Sequence, residues 1–103
     1  MNVKAFSPRQ DATVTIDVTS SSQSVKICDD KGNVDVRVMN NGSATVWIKF
    51  GVTGISAGLT DDIPVGPGVT EVFRAEPFGN ALYVAAIAAG STGKIYFTPG
   101  SGI

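Results

Sequence analysis

Apolar and polar residues alternate along much of this chain, most clearly over Val34–Gly51, VDVRVMNNGSATVWIKFG. Val34, Val36 and Val38 alternate with Asp35 and Arg37. After a turn, Ala44, Val46, Ile48 and Phe50 alternate with Thr45, Trp47 and Lys49. Successive side chains of a strand point to opposite faces, so a period of two predicts two half-buried strands. Asn40-Asn41-Gly42 lies between them, and Asn and Gly tolerate the positive φ of a tight turn. A two-residue loop would set Val36 opposite Trp47, apolar face against polar face. A three-residue loop sets Val36 against Val46 and Val34 against Ile48 and keeps one face buried, so a hairpin of that kind is preferred. Two strands turning a corner between two sheets would show the same pattern.

The same reasoning runs along the rest of the chain. Val14, Ile16 and Val18 alternate within Thr13–Val18, and Ser24–Cys28 is a short strand. Gly51–Gly68 holds five of the twelve glycines and two of the five prolines, so it reads as a long loop with a short strand at Ile63 and Val65. In Val69–Arg74 the faces are mixed, with Val69, Glu71 and Phe73 on one side and Thr70, Val72 and Arg74 on the other. Leu82–Ala88 is nearly continuously apolar and bounded by Gly79 and Gly90, as expected of a strand covered on both faces. Ile95 and Phe97 alternate with Lys94, Tyr96 and Thr98 in the last strand, and Pro99–Ile103 is a short tail. Seven or eight strands, turn signals about every ten residues and no amphipathic helix predict an all-β, antiparallel β-sandwich. It is jelly-roll-like, with an immunoglobulin-like sandwich as the alternative. Met1–Ala12 has no period of two or 3.6 and is set apart as an N-terminal arm before a single domain over residues 13–103. Val3, Phe6 and Pro8 make it either a mobile terminus or an arm that docks on a neighbouring chain.

Composition removes most chemistry. There is no histidine, so Ser-His-Asp and Cys-His arrangements are excluded, along with the commonest metal ligand. Cys28 is the only cysteine; it forms no internal disulfide and starts no zinc cluster. Asp29-Asp30-Lys31-Gly32-Asn33 lacks the spacing and the closing Glu of a calcium loop and reads as a turn. No glycine loop joins a strand to a helix as a phosphate cradle. No cofactor or metal is expected. Eight Lys and Arg against nine Asp and Glu give a net charge of -1, thinly spread, which speaks against a nucleic-acid or anionic-membrane partner. No apolar run marks a signal peptide or a membrane helix.

Two groups of residues remain as candidates. Asp61-Asp62, with Glu71 or Glu76, is the one carboxylate set that glycoside hydrolysis would need; a solvated loop is the plainer account. Trp47 and Tyr96 point away from the Val and Ile rows of their strands. They form either an aromatic platform for a sugar or protein partner or ordinary cross-strand aromatics on a sheet surface. Arg37 is diagonal to Trp47 in the preferred register, so a surface cation–π contact would also account for that tryptophan. A small sandwich leaves edge strands, and few charges blunt them here. If Leu82–Ala88 is central, the edge passes to a neighbour such as Lys94–Thr98, and self-association is expected.

Three segments, MNNGSATVWIKFG, IPVGPGVTEVFR and YVAAIAAGSTGKIYFTPGSGI, resemble small all-β virion proteins of tailed phages, of the capsid decoration or cement kind. The resemblance covers Val34 to Ile103 and leaves the arm outside. It implies a jelly-roll-like, non-enzymatic structural protein on the outer surface of the virion capsid, which bridges major capsid protein subunits and forms dimers or trimers. It supplies no catalytic residues. On this reading Val3, Phe6, Pro8, Trp47 and Tyr96 are the candidates for capsid or subunit interfaces. A carbohydrate- or receptor-binding module of a phage tail or fibre is the alternative.

A chain without these constellations should show no turnover in a broad hydrolase screen. Activity that disappears on replacing Asp61, Asp62, Glu71 or Glu76 would overturn that expectation.

Overall fold

The alternating segments do become strands. The computed structural model describes residues 5–30, 33–75, 79 and 81–102. Among these, nine strands form: β1 (Ser7–Pro8), β2 (Val14–Val18), β3 (Gln23–Cys28), β4 (Val34–Asn40), β5 (Val46–Gly51), β6 (Ile63–Val65), β7 (Thr70–Ala75), β8 (Leu82–Ile87) and β9 (Gly93–Ser101). They make two antiparallel sheets. The first has the order β2-β9-β4-β7, with β1 also on β9, and the second has the order β3-β8-β5-β6. Apart from β1 to β2 and β5 to β6, each connection passes from one sheet to the other. These interleaved orders are those of a jelly roll, two Greek keys wrapped face to face, and not those of an immunoglobulin sandwich.

Between the sheets lies one core. Ile16, Val36, Val38, Ile95 and Phe97 face inward from the first sheet; Ile27, Val46, Ile48, Leu82 and Val84 face them from the second. Phe97, the largest of the fully buried side chains, is 0% exposed. Burying each such side chain contributes roughly 1.5–3 kcal/mol. Phe50 and Phe73 add a tilted ring pair across the sandwich, with centroids 6.1 Å apart. β8 lies between β3 and β5, and even its outward-facing Ala85 is 0% exposed, as the unbroken apolar run requires.

The hairpin expected between β4 and β5 does not form. β4 pairs with β7 and β9, whereas β5 pairs with β6 and β8, so the chain turns a corner between sheets. Val36 therefore lies opposite Phe73 and Pro99, not Val46. Both arrangements bury the same valines, so alternation does not separate them. The corner is held by Asn40, which is 0% exposed. Its side-chain amide donates to the carbonyls of Ala44 and Val65, each at 2.9 Å, and of Gly66 at 3.1 Å, while its Oδ1 accepts from the Gly42 N–H at 2.9 Å. Thr92 closes the turn from the other side, its Oγ1 accepting from the N–H groups of Ser43 and Ala44.

β9 is longer than expected and is not an edge. It runs through Pro99 and Gly100 and lies between β4 and the β1–β2 side. Proline has no N–H for a ladder and is ordinarily excluded from central strands. Here β1 ends at Pro8 opposite Gly100 and β2 begins at Val14 opposite Phe97, so no ladder partner faces Pro99 on that side. The Pro99 carbonyl is still used, accepting from the Arg9 N–H at 2.9 Å. Within the arm, Ser7 and Pro8 join the sheet and Arg9 makes a paired contact with Asp30, both oxygens at 2.7 Å. The edges fall to β7, β3, β6 and the β1–β2 side. Exposed Glu71 lies on the core-facing side of β7, a charge that discourages further strand addition there.

The corner gives the fold its first test. Asn40→Ala leaves buried backbone carbonyls without a donor, at a cost of about 1–3 kcal/mol. For a domain of this size each kcal/mol lowers the melting temperature by about 4–8 °C. Asn40→Asp, which sets a carboxylate against those carbonyls, should cost more than Asn40→Ala in urea denaturation; equal or smaller losses would show that the amide bonds do not hold the corner.

Candidate functional site

The two outer faces of the sandwich differ, because one is roofed by the chain's own loop. The segment between β5 and β6 folds back over the outer face of the second sheet. Gly51 points outward there, and a Cβ on it would meet Ile55 Cγ2 at 2.8 Å, so glycine is what lets the loop lie close. Farther on, the Ala57 N–H donates to Ser22 Oγ at 2.8 Å, reaching across to the start of β3, and Ala57 is buried. Asp62 steadies the return, its Oδ2 accepting from the Gly58 N–H at 2.6 Å. On this face the ladder aligns Ile87, Trp47 and Pro64 across β8, β5 and β6, and Trp47 is half-buried.

Among the described residues, the outer face of the first sheet has no such roof. In one row Tyr96, Met39 and Thr70 lie side by side across β9, β4 and β7; in the next are Thr98, Arg37 and Val72. Phe6 comes over this face from the arm. Gly100 makes room for it, since a Cβ there would meet the Phe6 ring at 2.8 Å. The Arg37 guanidinium stacks on that ring, 5.4 Å from its centroid. The cation–π contact expected with Trp47 is thus made with Phe6, because the corner puts Trp47 on the other sheet. Trp47 and Tyr96 stand on opposite outer faces and do not form one platform. Pro8 is exposed in β1, and Val3 lies outside the described residues.

The carboxylates are separated by role. Asp61 and Asp62 line a cleft of about 310 Å³ between β6 and β7, with Ile48, Phe50, Ile63 and Ala75 as its apolar wall and Lys49 and Arg74 beside them. Glu71 lies on β7, and Glu76 lies outside the described residues. Asp29 pairs with Lys26 at 2.9 Å and Asp30 with Arg9, so the turn before β4 spends its acids on ion pairs. Among the described residues no group of three or more His, Cys, Asp or Glu side chains is placed to hold a metal ion. Cys28 is half-buried, and burial pushes its thiol pKa up, which keeps it protonated and a poor nucleophile.

Asp35 is the charged residue whose importance the sequence conceals. It alternates with valines and reads as solvent-facing, yet it is 5% exposed. Arg74 Nε donates to its Oδ1 at 2.9 Å and the Gly102 N–H to its Oδ2 at 2.7 Å. These partners are 39 and 67 residues away, so no local pattern announces them. The hydrogen bond from Arg74, then that from Gly102, holds the Asp35 carboxyl below the usual carboxylate range. It thereby clips the end of β9 to β4 and β7.

This geometry defines a class: a jelly-roll module with one covered and one open sheet face. No protein-family model matches the chain, and no curated protein matches it. Among solved structures it is similar to a crystal structure of PirA, with a TM-score of 0.60 and 14% identity over 95% of this chain and 99% of that one. It is also similar to a chain from a study titled "Bacillus endospore appendages form a novel family of disulfide-linked pili", with a TM-score of 0.46 and 20% identity over 100% of this chain and 99% of that one. At such identity the PirA likeness speaks to the fold alone.

The Asp35 clip predicts acid sensitivity of definite sign. A carboxyl whose pKa is lower folded than unfolded stabilises the fold above its unfolded value, about 3.9, and loses that contribution as pH falls through the lower folded value. Asp30, lowered by Arg9, acts in the same direction. Stability should hold down to about pH 4 and fall below it. Asp35→Asn should be less stable at neutral pH, with the difference from wild type shrinking in acid. A difference independent of pH would refute the clip.

Proposed function

We propose that this chain is a non-enzymatic structural protein that works by binding other protein subunits, and that its setting is the outer surface of a tailed-phage capsid, where it bridges major capsid proteins. The observation that carries the binding role is the open face of the first sheet. Interface cores are enriched in aromatic residues, Met and Arg, and this face presents Tyr96, Met39, Arg37 and Phe6 together. Met39 is 42% exposed on a strand whose inward side chains are fully packed. The capsid setting rests on the sequence resemblance. Its three segments correspond to the β4–β5 corner, the β6–β7 turn and the β8–β9 strands, which together make most of both sheets.

Such a protein stabilises a shell by mass action, since it binds the assembled form and lowers its free energy relative to free subunits. A sugar-binding module would be served by a shared aromatic platform, and the separation of Trp47 from Tyr96 removes the one the sequence offered.

Mass spectrometry of purified particles should find this chain beside a major capsid protein. Added protein should raise the temperature at which particles lacking it fall apart, and Met39→Asp should weaken that effect at least about tenfold in the concentration required, as loss of a central contact does. Particles that neither contain nor bind the chain would overturn the reading.

A further inference from the structure

We infer that copies of this chain associate head to tail, the Arg37 face of one copy receiving the Leu59–Ile63 shoulder of the next. The inference rests on the protein-binding reading above and names a partner for the open face.

Among the described residues the exposed large hydrophobic residues are Met39, Leu59 and Ile63, at 42%, 40% and 39%. They fall in two places. Met39 lies on the outer face of the first sheet, beside Tyr96 and one row from Arg37 and Val72. Leu59 and Ile63 flank Asp61 and Asp62 on the loop and strand that edge the second sheet. Each place therefore combines exposed apolar surface with charge, and the charges are opposite.

Among the described residues those charges are in no ion pair. The ion pairs among the described residues are Arg9–Asp30, Lys26–Asp29, Arg74–Asp35 and Lys94–Asp17; Arg37, Asp61 and Asp62 are in none of them. Lys49 and Arg74 border the Asp61–Asp62 cleft, but Arg74 is committed to Asp35, so two carboxylates there face one uncommitted cation. Both sides are also held in place. Phe6 fixes the Arg37 guanidinium, and the Gly58 N–H fixes Asp62. Groups already ordered lose less conformational freedom on binding.

Charge decides which surface meets which. Two copies joined face to face through the first sheet bring Arg37 against Arg37, and two joined through the shoulder bring four carboxylates together with only two uncommitted lysines. Like-charge contacts of this kind are strongly disfavoured, whereas face against shoulder matches charge and apolar surface at once. The face belongs to the first sheet and the shoulder to the edge of the second, and Arg74 marks where they adjoin. A contact between unlike surfaces propagates, closing into a ring or continuing as a filament.

Sedimentation velocity of the full chain over a wide concentration range tests this. Wild type should grow in mass as concentration rises. Arg37→Glu alone and Asp61→Lys alone should each weaken association at least about tenfold, as reversing one partner of a charge pair does, with circular dichroism unchanged. The double variant Arg37→Glu/Asp61→Lys should associate again, because the reversed charges meet across the same contact. A wild type that stays monomeric, single variants that associate like wild type, or a double variant that fails to recover would each overturn the inference. A monomeric chain that still binds capsid particles overturns this contact and leaves the capsid reading standing; a chain that assembles with itself but ignores particles does the reverse.

Discussion

The architecture depends on one buried amide. Asn40 ends β4 with its side chain inside the corner, where no water is available to satisfy it. Its amide donates to carbonyls before β5 and at the end of β6, its Oδ1 accepts from Gly42, and its backbone bonds to Val69 and Gly68. One residue thus joins the first sheet, the second sheet and the β6–β7 turn. A buried polar group left unpaired is costly, and a satisfied network specifies one arrangement over its competitors. The competitor here is the hairpin, which would bury the same valines. Hydrophobic burial is indifferent between the two; the corner offers Asn40 a full set of partners.

Once the corner is made, the outer faces follow. Trp47 and Arg37, which a hairpin would have made neighbours, go to different sheets. The loop after β5 then lies over the second sheet, using Gly51 for closeness and Ser22 as an anchor. The first sheet keeps its outer face open, and the arm crosses only part of it, through Phe6 on Arg37. The proposed binding role rests on this asymmetry between a roofed and an open face.

Asp29, Asp30 and Asp35 are in ion pairs, whereas Asp61 and Asp62 stand together in a cleft wall, Asp62 also accepting a loop hydrogen bond. The thiol is shielded and held protonated. What the described surface offers is shape, apolar contact and fixed charge, on which the proposed binding role rests.

The strands were legible in the residues, because the period of two is a local property. Val14–Val18, Val34–Asn40, Ile63–Val65 and the unbroken run from Leu82 each lie where alternation or continuity puts them. So was the lack of histidine-based and multi-cysteine constellations, which composition alone excludes in any fold. Pairing was not legible. Alternation says which face of a strand is buried and is silent about its neighbour, and the neighbours here are distant: Val36 meets Pro99, and Ile16 meets Ile95. Nor was the burial of Asn40 or Asp35, because each looks like an ordinary turn or surface residue until partners from far along the chain converge on it. Which residues alternate is decided by neighbours in sequence; which strands pair and which faces stay open is decided by long-range closure, where satisfying a few buried polar groups selects among folds that bury the same hydrophobic residues.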